Sequence, residues 1–159
     1  MDNGSFEFKY ELQRGDDLSV KAREFFIRSF RKAFFDFLDQ HSISQYHPPS
    51  IMFYKMMGEM VRNVWDHTIT GQGRVMLKFQ SDASILDFEV RDYDTTPRNV
   101  GEIAKIGSSK NGNGINHGVG LILIQASVQP LDIQNFTVDT SCGFVYRGSI
   151  PLKIRMRTT

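Results

Sequence analysis

The sequence predicts a two-layer α/β (α+β) sandwich, with a mixed, mainly antiparallel sheet covered by helices on one face. Three observations lead there. Short stretches alternating apolar and polar residues come in adjacent pairs, as the strands of hairpins do. Two longer stretches repeat apolar residues every three and four positions, the period of an amphipathic helix. The segments run strand, helix, helix, two strands, glycine-rich loop, helix, two strands, so hairpins and helices stay segregated. At 159 residues the chain suits one domain with a core and is short for two. Residues 1–159 are therefore read as a single domain, with an N-terminal strand and helix over 1–49 and the remaining elements over 50–152.

Each element has its own signal. "SFEFKYEL" at 5–12 sets Phe6, Phe8 and Tyr10 against polar neighbours, and "GDDLS" turns the chain. From Val20 to Leu38, Ala22, Phe25, Phe26, Phe30, Ala33, Phe34 and Leu38 define a helix face. With Phe35 and Phe37 added, this helix carries more apolar positions than one face needs, so a partner surface or homodimer contact is expected there. "HSISQYHPPS" reads as a loop, with a second helix starting at Pro49 or Ser50 and running to His67. "TGQGR" turns into "RVMLKFQ" and "ILDFEVRDYD", a hairpin joined by "SDAS" and stopped by Pro97. A weakly helical piece then dissolves into glycine, and an apolar run to about Val128 is a helix. "FTVDTS" and "FVYRGSIPLKIRM" close the chain as strands around a Cys142-Gly143 turn.

Composition narrows the function classes. Hydrophobic residues at 40% and charged residues at 23% belong to a folded globular chain. Nineteen Lys and Arg against eighteen Asp and Glu leave +1, so no global field points to nucleic acid or an anionic membrane. Any anionic ligand must be held locally. The single cysteine, Cys142, excludes an internal disulfide and a cysteine-based metal site. "MDNGSFEFKYELQ" has no apolar core of signal-peptide length, and the longest apolar stretch, Val119 to Ala126, is far below the roughly 20 residues of a membrane span. A cytoplasmic protein is expected.

Three sequence features carry chemistry. In "MMGEMVRNVWDHT", Glu59, Asn63 and His67 are spaced by four, a polar stripe on a helix otherwise built from Met and Val. In "LDFEVRDYD", Asp92 follows the same-face row Phe88 and Val90, with Asp94 two residues on. A carboxylate there can accept a hydrogen bond from an amine deep in a pocket or cap a turn. In "NGNGINHGVGLILIQ", Gly112, Gly114, Gly118 and Gly120 free the backbone before a helix start near Val119, whose unpaired N–H groups suit phosphate; a flexible turn before a buried helix needs the same residues.

In this order the three features resemble the ATP-binding domain shared by gyrase, histidine kinases, anti-sigma-factor kinases and MutL repair proteins, the GHKL family with its Bergerat fold. "GEMVRNVWDHT" is similar to the N box, "DFEVRDYD" to the first glycine box and "NHGVGLILI" to the second, and "SIPLKI" looks like the final strand, so the likeness spans roughly 50–152. The resemblance implies ATP or ADP as ligand, with Asn63 coordinating Mg²⁺ and Asp92 accepting the adenine amino proton. Glu59 would be the catalytic acid–base residue. Asp66 and His67 would lie near the phosphates, while Gly118, Val119, Gly120 and Leu121 would bind them, with residues 98–117 as a lid carrying Lys105 and Lys110. The family's glycine-box glycines are replaced by Asp94 and Thr96, which puts Asp94 beside the nucleotide or outside its pocket.

His41 and His47, in "DQHSISQYHPPS", do not resemble a histidine kinase's phosphoacceptor box, and about seven residues follow "IPL" where gyrase-like or MutL-like ATPases need a transducer domain. The layout is closest to a stand-alone anti-sigma-factor-type kinase. The expectation is a cytoplasmic ATP- and magnesium-binding regulator, with serine or threonine phosphoryl transfer to a separate protein partner. The alternative is a non-catalytic protein-interaction module with degenerate or lost nucleotide binding.

Overall fold

Nine residues of apolar–polar alternation form β1 (Ser5–Gln13), which turns Phe8 and Leu12 inward. The computed structural model describes residues 5–41, 46–47, 50–80, 82–97, 124, 129 and 131–154. Ser19 caps α1 (Val20–Gln40), its side-chain oxygen accepting from Ala22 N at 3.2 Å and satisfying a donor that the first turn leaves open. The spacing of three and four buries Phe26, Ile27, Phe30, Phe34, Phe37 and Leu38. Of the remaining phenylalanines, Phe35 packs against Tyr54 with ring centroids 5.1 Å apart, and Phe25 stays exposed. After β2 (Tyr46–His47), α2 (Ser50–His67) begins where the Pro-Pro-Ser stretch predicts and buries Phe53, Met56, Met57, Met60, Val61, Val64 and Trp65.

The expected hairpin is β3 (Gln72–Gln80) with β4 (Ile85–Asp92), and the closing pair is β5 (Gln134–Asp139) with β6 (Val145–Pro151). These strands and β1 form one sheet in the order β1-β3-β4-β6-β5, antiparallel at every pairing. The mixed character expected from sequence thus has no parallel pair among the described strands. The final run also breaks earlier than its alternation suggests. Pro151 has no N–H to continue the ladder, Leu152 N donates instead to Ser84 O at 2.7 Å, and β7 (Lys153–Ile154) leaves to pair with β2. Of the helix expected to reach Val128, Ile124 is described; it is helical and buried.

Register sorts the side chains into rows. Tyr10, Val75, Val90 and Tyr146 lie abreast, as do Phe8, Leu77, Phe88 and Gly148, then Phe6, Phe79, Leu86 and Ile150. Both helices cover this face. Phe26 stacks on Trp65 at 4.8 Å, and Phe34 meets Phe53 and Tyr54, each at 5.7 Å, so α1, α2 and sheet share one aromatic core. Burying each such phenylalanine contributes about 1.5–3 kcal/mol. The opposite face carries Lys9, Arg74, Met76, Lys78, Asp87, Glu89 and Arg147. No helix among the described residues is long and apolar enough to cross a membrane.

Candidate functional site

At one end of the covered face the apolar rows stop. The next row is Leu12, Gly73 and Asp92, so a carboxylate stands where the pattern would continue with another core residue. Asp92 is 1% exposed, and its Oδ1 accepts from Phe144 N at 3.0 Å and Asp94 N at 3.2 Å. Two backbone donors on one oxygen offset part of the cost of burying the group. Asp94 N is local to it, and Phe144 N reaches it where the β5–β6 turn bends at Gly143, whose φ is +74°. A Cβ there would overlap Asp92 Oδ1 and stand 2.7 Å from Asp94 O, so the position needs glycine for conformation and for space.

Asn63, on α2, is 7% exposed and donates from Nδ2 to the Tyr146 hydroxyl at 3.2 Å. Tyr146 lies opposite Val90, on the same face of β4 as Asp92, and its ring is 5.4 Å from that of Phe144, whose N–H holds Asp92. The middle of the polar helix stripe and the acid at the strand end thus bond to residues two apart in the segment that enters β6. Tyr146 is 1% exposed, and burial pushes its pKa up to about 12, opposed by the Asn63 hydrogen bond, so the hydroxyl keeps its proton at neutral pH.

Asp94 has a different commitment. Its Oδ1 accepts from Thr68 Oγ1 at 2.9 Å, Thr70 N at 2.9 Å and Thr70 Oγ1 at 2.8 Å, and its Oδ2 accepts from Ile69 N at 2.7 Å. Burial alone would raise this carboxyl, but the Ile69 and Thr70 backbone donors and the two threonine hydroxyls outweigh it and hold the pKa below the ordinary value. Asp94 is the fastening of the turn that follows α2. Arg14 closes the same turn from the other side, donating from Nη2 to Thr68 O at 2.9 Å and from Nη1 to Trp65 O, a cation at the negative end of the helix.

The other predicted residues divide. Glu59 is half-buried one turn before Asn63, and its Oε1 accepts from Arg62 Nη1 at 3.1 Å. Asp66 is drawn toward α1, its Oδ2 accepting from Arg23 Nη2 at 3.0 Å. His67 is half-buried in the last turn of α2. Gly118, Val119, Gly120 and Leu121, and the lid at 98–117 with Lys105 and Lys110, lie outside the described residues. Thr68, Thr70 and Tyr146 were not singled out from sequence, and Gly143 was read only as a turn. The threonines had a usable signal, a polar "HTITG" directly after a helix end; Tyr146 read as one more inward residue of an alternating strand.

Compared with protein-family models and with curated proteins, the chain gives no significant match to either.

Proposed function

We propose that this protein binds a magnesium–adenine nucleotide in a Bergerat-type site and acts as a regulator through a separate protein, as the GHKL resemblance implies. The observation that carries the reading is that Asn63 and Asp92, 29 positions apart in sequence and both buried, bond to Tyr146 and Phe144, two residues apart in one segment. The donor set fits the metal. Magnesium takes hard oxygen ligands, keeps several waters and needs few protein groups besides the phosphates. The Asn63 hydrogen bond is made through Nδ2, so its neutral Oδ1 is the atom to offer.

When bound, magnesium supplies charge neutralisation across the phosphates. Asp92 would accept a hydrogen bond from the adenine amino group. Glu59, now paired with Arg62, would polarise an acceptor hydroxyl, and the resemblance would give the phosphate-binding role to residues 118–121, outside the described residues. The acceptor is a serine or threonine on a partner protein.

Isothermal titration tests the reading: wild-type chain with ATP and Mg²⁺ binds, and Asn63→Ala and Asp92→Ala each lose at least tenfold in affinity. No binding by the wild type overturns it. Labelled ATP with partner candidates then separates transfer to protein from release of phosphate. The non-catalytic interaction module has one observation in its favour: Asp94, in place of a family glycine, spends both carboxylate oxygens on the turn at 68–70.

A further inference from the structure

We infer that Tyr146 is a positioning residue for the metal: its hydroxyl holds the Asn63 amide by Nδ2 and so turns Oδ1 toward the ion. The inference rests on the nucleotide reading and deepens it, since nothing in the three resembling motifs assigns a role to a residue of the last strand of the sheet.

The geometry supplies each part. An asparagine amide presents one oxygen and one NH₂ at opposite corners of a rigid plane, so fixing either corner fixes the other. The Asn63–Tyr146 contact is 3.2 Å between two side chains that are 7% and 1% exposed. A hydroxyl can accept from an NH₂ or donate to an oxygen, and here it accepts. If the amide turned over, Oδ1 would face the tyrosine and the NH₂ would face the cation, two donors opposed to a positive charge. Tyr146 in turn cannot swing away. Its ring is fixed in the row with Val90 and against Phe144, and β6 is flanked by β4 and β5. The phenol stays neutral because burial raises its pKa to about 12, so the acceptor has the same character over the whole physiological range. A ligand oriented by a partner behind it is the general pattern of metal sites, where loss of that partner weakens metal affinity about 10- to 100-fold.

The test is Tyr146→Phe in the full chain, which keeps the ring and removes one oxygen. ATP is titrated with Mg²⁺ and again in EDTA, with Ile150→Val as a control for a mild core change in the same strand. The expected result is about a tenfold weaker affinity for Mg·ATP in Tyr146→Phe, with ATP in EDTA within about twofold of wild type and Ile150→Val unchanged in both. Equal Mg·ATP affinity in wild type and Tyr146→Phe, or an equal loss with and without metal, overturns the inference and leaves the nucleotide reading standing. No wild-type binding removes both. A second measurement needs no variant: the Asn63 side-chain NH₂ signals in the wild-type protein stay protected from hydrogen exchange when Mg·ATP is added. Loss of that protection on adding Mg·ATP would show the amide turning away from Tyr146 and would also sink the inference.

Discussion

The two faces of the central sheet come from alternate residues of the same strands, yet they handle polar groups in opposite ways. On the covered side, Asp92 at the end of β4, Asp94 just beyond it and Asn63 on α2 are 1%, 3% and 7% exposed, and each is bound by a backbone donor or a buried side chain. On the open face, Glu89 is clamped between Arg74 Nη2 at 3.1 Å and Arg147 Nε at 2.9 Å, and Asp87 accepts from Gln80 Nε2 at 2.9 Å and from Ser149. Burial would raise Glu89, but Arg147 and Arg74 hold its pKa below the ordinary value. The arginines reach water, with side chains 29% and 50% exposed for Arg74 and Arg147, so screening reduces what each pair contributes. Charge on the open face is paired across neighbouring strands, with arginines that reach water. Polarity on the covered face is costly, and three such groups lie close to one end of the sheet, which is why that end is the candidate site.

Substitutions can break this contrast at different strengths. The largest loss is expected in the aromatic core: Phe34→Ala removes a ring that is 0% exposed and should cost about 3–5 kcal/mol in urea unfolding. A cost under about 1 kcal/mol would mean that α1 and α2 do not share one core with the sheet.

The covered-face carboxylate comes next. Asp94→Asn keeps the shape but trades an acceptor-only group for one with two donors facing Ile69, Thr70 and Thr68, and should cost about 2–3 kcal/mol at neutral pH. The sign of its pH dependence follows from the lowered folded-state pKa. The stabilisation is complete above the unfolded value of about 3.9 and is lost as pH falls from there through the folded value. Wild type should therefore lose stability on acidification below about pH 4 more steeply than Asp94→Asn does, as thermal melts across that range would show. Parallel curves would place the acid sensitivity elsewhere, with Glu89 the first candidate.

The smallest effect belongs to the open face. Arg147→Ala should cost under about 1 kcal/mol, because Glu89 keeps Arg74 and the lost guanidinium was half in water. A loss as large as that of Asp94→Asn would erase the difference between the faces.

The alternation of β1, β3 and β4 and the three-and-four spacing of α1 and α2 were legible because each is a local pattern with one burial solution. Pro-Pro-Ser before α2 and the turn at Gly143 were legible for the same reason. Asn63, Asp92 and Asp94 stood out in the sequence as polar residues on apolar elements, but their hydrogen bonds did not. Asp94 stands where the family resemblance has a glycine, and its partners come from 24 to 26 positions earlier in the chain. Asp66, grouped with His67 by sequence, is pulled the other way by Arg23, 43 positions away. The pairing of β2 with β7 joins two stretches too short to carry a period.

By itself, then, the chain determined its elements, its inward-facing rows and the polar residues that interrupt them, because periodicity and side-chain chemistry are properties of neighbours along the backbone. Which of those polar groups are buried together was decided only when β6 came to lie between β4 and β5. That packing brings Tyr146 to Asn63 and Phe144 to Asp92 across 83 and 52 positions, and a hydrogen bond responds to distance in space, whatever the separation in sequence.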